Sequence, residues 1–181
     1  MPTGCALTIG RQLDCKDFIG GIRTVLFQPI ADFTPTYGGS GGNILTAIAT
    51  DTVYRYELAK GVGSFTETIQ SAPENGTIFY EGVVNMKLHK MSAVWRDEIR
   101  LLVRNRLVIY ILDNNNNQWV IGTTHGAELT AGTGSTGAAL GDLNGYDLTW
   151  TSQEASPMRN AGAYTTNPFD NIGGMTVSPA W

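Results

Sequence analysis

A chain of 181 residues is long enough to bury a sizeable core, and it is expected to fold as one domain. A net charge of −4 and a pI near 5.1 exclude an overall basic grip on nucleic acid, and no run approaches the roughly 20 apolar residues that a membrane helix needs. Charged residues make up only 15% against 22 glycines, a balance that favours a mainly β body with many turns and with surface that partners cover.

Residues 1–17 begin with small side chains, show little periodicity and read as an N-terminal arm. They lack the basic start and long apolar core of a secretory signal, so the product is expected to be made and kept in a cytoplasm until assembly. One bridge between Cys5 and Cys15 is geometrically possible, but a reducing compartment and the lack of other cysteines favour free thiols. Neither His89 nor His125 has metal-ligand spacing to them.

The body is expected over residues 18–157. Gly20-Gly21 opens a largely apolar strand, 22–28, which Pro29 closes. Residues 31–43 carry Pro35 and the glycines Gly38, Gly39, Gly41 and Gly42, the composition of a long flexible loop, and such a loop in a compact domain is usually functional or disordered. Two short strands, 44–49 and 52–58, are expected on either side of Thr50-Asp51. In 64–70, Phe65 and Ile69 alternate with Thr66, Thr68 and Gln70, and 73–76 is a turn.

The stretch 75–124 organises the rest. In 77–89 the even positions Ile78, Tyr80, Val84, Met86 and Leu88 are apolar and most odd positions are polar, the period of a half-buried strand. Phe79 and Val83 interrupt the polar side, so a further layer or another subunit is expected over part of it. A helix over 92–104 follows, with Ser92 as its N-cap and Met91, Val94, Trp95, Ile99, Leu102 and Val103 on one stripe. Trp95 is expected in the core. Arg96, Arg100 and Arg104 fall four apart on the opposite side. A solvated face is the commoner meaning of such a row, and the sharper one is a basic strip that meets an acidic surface on a neighbouring copy. Residues 107–112 are apolar on both faces and belong to a central strand. The Asp/Asn cluster 113–117 turns that strand into 118–124.

The segment 126–145 is rich in glycine and threonine, and 146–151 alternates as a last strand. Gly132, Gly134 and Gly137 fit the dinucleotide spacing by letter, but no helix follows to offer amides to a pyrophosphate. Ser135 is not in a nucleophile elbow, and the turn at Asp142 and Asn144 lacks the ligands of a calcium loop. No catalytic, cofactor or metal role is assigned to any residue. Beyond Pro157 the chain reads as a tail, 158–181, either loose or docked through its aromatics Tyr164, Phe169 and Trp181 on its own body or on a neighbour. Its removal is expected to leave a folded body that assembles poorly.

In order and spacing, the region ending in Asp14-Cys15, Gly20-Gly21-Ile22, Asn105-Arg106-Leu107 and Asp113-Asn114-Asn115 with Trp119 and Gly122 resembles a known group, and Gly141-Asp142-Leu143-Asn144-Gly145-Tyr146 running into Leu148-Thr149-Trp150 completes the likeness. The group is the tail-tube and tail-ring structural proteins of tailed phages that infect Bacteroidetes, including crAss-like phages. The likeness spans about residues 5–157, and where the group has Glu-Pro-x-Pro this chain has Glu154-Ala155-Ser156-Pro157. The resemblance implies a mainly β fold with one helix, a β-sandwich or barrel of tail-tube type with extended loops and terminal arms. It also implies a virion protein that forms a ring, most often a hexamer, around a channel for DNA, with other tail or neck proteins as partners and no membrane. The glycines 38, 39, 41 and 42, the three helix arginines, Tyr164, Phe169 and Trp181 are then candidate inter-subunit residues. The alternative is a capsid decoration or receptor-contacting module that uses 126–145 as its contact surface.

Overall fold

The computed structural model describes residues 10–13 and 16–181, so the arm and the state of Cys5 and Cys15 lie largely outside the described residues. The fold is mainly β with a large mixed sheet and, among the described residues, one α-helix.

Its centre is β6 (Leu107–Asp113), whose first six residues are all buried. β6 pairs antiparallel with β1 (Ile22–Pro29) on one side and with β7 (Gln118–Ile121) on the other. β1 pairs with the end of β3 (Ile44–Glu57), the start of β3 pairs with the two-residue β10 (Arg159–Asn160), and β10 pairs with β7. These pairings form a closed cycle. Val108, Tyr110 and Leu112 face its inside with Leu26, Leu45, Val53, Val120 and Phe169. The alternate residues Leu107, Ile109 and Ile111 face outward and enter a second core with Phe27, Val84, Met86 and Trp150. That second core is closed by an antiparallel sheet in the order β8 (Ala127–Ser135), β9 (Gly145–Glu154), β5 (Thr77–His89), β4 (Gly63–Ala72). Phe27 bridges from β1 into this sheet, its ring centroid 4.9 Å from that of Trp150.

Three expectations are corrected. The segment 31–43 is not an open loop: β2 (Pro35–Gly38) pairs with β3 as a hairpin. Gly39, Gly41 and Gly42 make its turn at φ of 75°, 72° and 68°, where a Cβ would be strained. The two short strands are one, β3, which runs unbroken through Thr50-Asp51; there Asp51 Oδ1 accepts from the amide of Thr52 and its Oδ2 from Gln28 Nε2. The first half of 126–145 is β8, so only 136–144 remain as a loop for the alternative reading. Gly132 and Gly134 lie in that strand under Leu148 and Tyr146, whose side chains leave little room for a Cβ.

Of the alternatives for the tail, docking on its own body is the one found. β11 (Gly173–Ser178) runs parallel to β3, and Phe169 and Ile172 are buried in the inner core. The amide of Phe169 donates to Gln118 Oε1 at 2.8 Å, while Gln118 Nε2 donates to the carbonyl of Gly162. This holds Phe169 at a φ of 66°, which a large side chain adopts only under constraint. Beside it, Tyr110 Oη donates to Gln28 Oε1 at 2.6 Å. Burial first, then the Asp51 charge and Tyr37, push the Tyr110 phenol above its usual range, so it stays a donor. Asp170 accepts from the amides of Thr165, Thr166 and Asn167, and these bonds, that of Thr165 foremost, hold its carboxyl below the usual range.

Phe169→Ala should lower stability by about 3 to 5 kcal/mol in urea unfolding, as for other deeply buried aromatics, and truncation at Met158 should leave a chain without a cooperative transition. A midpoint within error of wild type for Phe169→Ala would contradict the core assignment. Because the folded pKa of Asp170 is depressed, its contribution is complete above the unfolded value of about 4 and fades as pH falls below that. The stability gap between wild type and Asp170→Ala should therefore be flat from neutral pH down to that point and then narrow.

Candidate functional site

The sheet β8–β9–β5–β4 presents one face to the core and the other to solvent. Parity places Asn85, Lys87, Thr149, Thr151, Gln153, Thr66 and Gln70 on the outer side. These side chains bind one another. Asn85 Nδ2 donates to Asp147 and Thr149, Thr130 and Thr151 share a hydrogen bond of 2.9 Å, and Gln153 donates to Glu81. The face carries Glu81, Glu128 and Asp147, and Lys87 lies 3.4 Å from Asp147. No layer of the described chain covers Phe79, and Val83 is half-buried. Among the described residues both lateral edges are free. β4 pairs only with β5, and β8 beyond Ala127 pairs only with β9 among the described residues.

At its far end the sheet overhangs the body. β9 stops opposite Tyr80, so residues 69–79 of the β4–β5 hairpin project alone. Ile69 is 62% exposed and Ile78 54% exposed there, beside Phe79. At the other end of β5 sits α1 (Ala93–Arg104). Ser92 caps it, its Oγ accepting from the amide of Trp95 at 3.3 Å. The expected stripe is only partly core: Ile99 and Leu102 are buried, whereas Met91, Val94 and Val103 are exposed and Trp95 is 44% exposed; Leu101, off the stripe, is exposed too. The helix rests on the end of the body instead of being enclosed by it, so an apolar pattern wider than the contact leaves both flanks wet.

Between α1, β3 and the ends of β5 and β9 lies a cavity of about 330 Å³, with Tyr56, Trp95, Ile99 and Tyr146 among its walls and Arg55 and Lys90 on its lining. Burial, then Glu98 and Tyr54, push the Tyr56 phenol up to about 12, which keeps it neutral at physiological pH. Among the described residues no group of three His, Cys, Asp or Glu could hold a metal. No helix there is long and apolar enough to cross a membrane.

Comparison with family models, curated proteins and solved structures finds no match. Function must be read from the surfaces themselves.

The predicted site residues do not form one patch. Gly38, Gly39, Gly41 and Gly42 are the β2–β3 turn, against which the tail's Arg159 donates to the Gly42 carbonyl and stacks 4.4 Å from the Tyr37 ring centroid. Phe169 leaves the candidate set, since its own core encloses it. Tyr164 Oη donates to Asn116, and Trp181 lies 4.6 Å from the Arg55 guanidinium, so both are docked on their own body. Arg96 pairs with its neighbour Asp97, while Arg100 and Arg104 have no ion-pair partner among the described residues. Strand edges were expected to make the ring contacts, but which strands carry them, β4 and β8, and the overhanging hairpin tip were not foreseen. A signal for the tip was present: no Lys, Arg or His occurs from residue 61 to 86.

Trp95→Ala should cost on the order of 1 to 2 kcal/mol, less than a fully buried tryptophan would. Thermal or urea unfolding checks this, and a loss near that of Phe169→Ala would show the helix to be more deeply packed.

Proposed function

We propose that this chain is a ring-forming structural protein of a phage virion, of the tail tube or neck, whose polar sheet lines a channel for DNA. The observation that carries the reading is the four-stranded sheet with two free edges and one wet face. Unpaired edges left in solution invite association, and proteins ordinarily cover or blunt them. Here the strands alternate in direction, and four is an even number. A copy placed beside the first by rotation therefore sets its β4 antiparallel to β8 of its neighbour, which continues the ladder without reversal. Repetition around an axis gives a heterologous contact that closes, and closure removes every edge.

The exposed face suits the lumen of such a ring. Its amides and hydroxyls satisfy one another, and Lys87 is drawn to Asp147. Since each phosphate held by a basic side chain adds affinity, a face nearly free of unpaired cations lets a duplex slide without gripping it. The resemblance to tail-tube and tail-ring proteins supports the same reading, with a hexamer as the ring expected, the other tail or neck proteins as partners, assembly in the host cytoplasm and residence in the virion tail. No enzymatic step is proposed. A decoration module has less support, because the first half of its contact segment is the edge strand β8.

Purified protein should show closed rings by negative-stain microscopy, with amides along 63–72 and 129–135 exchanging slowly in rings and fast in dispersed protein. Monomers at every concentration, or rings whose edge amides remain unprotected, would overturn the proposal.

A further inference from the structure

The charges are sorted along β5. Its hairpin end, residues 61–86, holds Glu67, Glu74 and Glu81 and no basic side chain. Residues 87–106 at the other end hold Lys87, Lys90, Arg96, Arg100, Arg104 and Arg106 against Asp97 and Glu98, half of the chain's 12 Lys and Arg. Three of these are neutralised locally, by Asp147, Asp97 and Glu128. Lys90, Arg100 and Arg104 have no ion-pair partner among the described residues. Both ends also expose apolar groups: Ile69, Ile78 and Phe79 on the tip, and Val94, Leu101 and Val103 around the arginine row of α1.

The two ends are separated by the 13 residues of β5, a span of roughly 40 Å at the usual rise of a strand. A tip so placed cannot reach the helix of its own chain. We propose that the acidic, apolar tip of the β4–β5 hairpin (69–79) docks on the basic outer face of α1 in a second copy of this chain. Charge complementarity selects the partner and its direction, since tip on tip or helix on helix would set like charges together. The anchors are Ile69 and Ile78, which strand parity sets on one face of the hairpin, against Leu101, and Glu74 faces Arg100 and Arg104 beside it. Glu67 and Glu81 are already engaged, by the amide of Met158 and by Gln153, which leaves Glu74 as the free carboxylate.

This contact runs along the strands, whereas the β4 and β8 edges face sideways. It builds on the ring reading by adding a direction: lateral edges close a ring and the two ends stack one ring on the next. A head-to-tail contact without rotation back to the start does not close, so it propagates.

The test is the length of stacks in negative stain and light scattering at low and high salt, with circular dichroism to verify folding. Wild type should stack at low salt and shorten as screening increases. R100E/R104E should shorten the stacks about tenfold or more, and E74R in the same chain should restore them. I69S/I78S should shorten them from the other side. Stacks of wild-type length in R100E/R104E, a loss that E74R does not reverse, or wild-type rings that never stack would each overturn the inference. The last of these would leave the ring reading intact. Salt-sensitive filaments without rings would sink the ring reading and support this contact.

Discussion

Because β6 carries apolar side chains on both faces, it has to be covered twice, and the remaining architecture follows from how that is done. One face is closed by a cycle of strands that brings β1, β3, β7 and β10 around Tyr110 and Leu112. The other is closed by β9 and β5, with Trp150 and Met86 pressed on Ile109 and Ile111. β1 shares the task, since Leu26 points to one core and Phe27 to the other. A charge on any of these positions would have no water to reach and no partner to meet, and such a group costs several kcal/mol.

Covering the inner core uses the end of the chain. Phe169, Ala161 and Ile172 fill space that the first 157 residues leave open, and buried Gln118 fixes the approach by accepting from one amide and donating to one carbonyl. Gln28 does the same on the facing strand, between Tyr110 and Asp51. Two glutamines in an apolar core are tolerable because each has both ends of its amide engaged. They also set the position of the segments they bind, which an apolar side chain of equal size could not.

Among the described residues the outer sheet is left with one wet face, two bare edges and an overhanging tip. An isolated two-stranded hairpin is marginal in water, and one that exposes isoleucine and phenylalanine gains more by burying them. In the contact proposed above, a second copy would supply a cationic helix with an apolar flank at the opposite end. The polarity of charge along β5 thus gives the molecule a head and a tail, and the bare edges give it two sides.

By itself the sequence determined the elements whose signals are local. The alternation of 77–89, the cap at Ser92, the doubly apolar run 107–112 and the Asp113 turn all reappear, because backbone periodicity and short-range hydrogen bonds decide them. The polar outer face was legible in the same alternation. What only the tertiary structure decided were matters of distant contact. It carried β3 unbroken through Thr50-Asp51 beside Gln28, made strand of a glycine-rich segment by laying it on β9, exposed half of Trp95 because α1 rests on a rim, and buried Phe169 through a glutamine 51 residues away. Which apolar side chains are covered depends on what lies opposite, and a pattern along one strand or helix cannot carry that information.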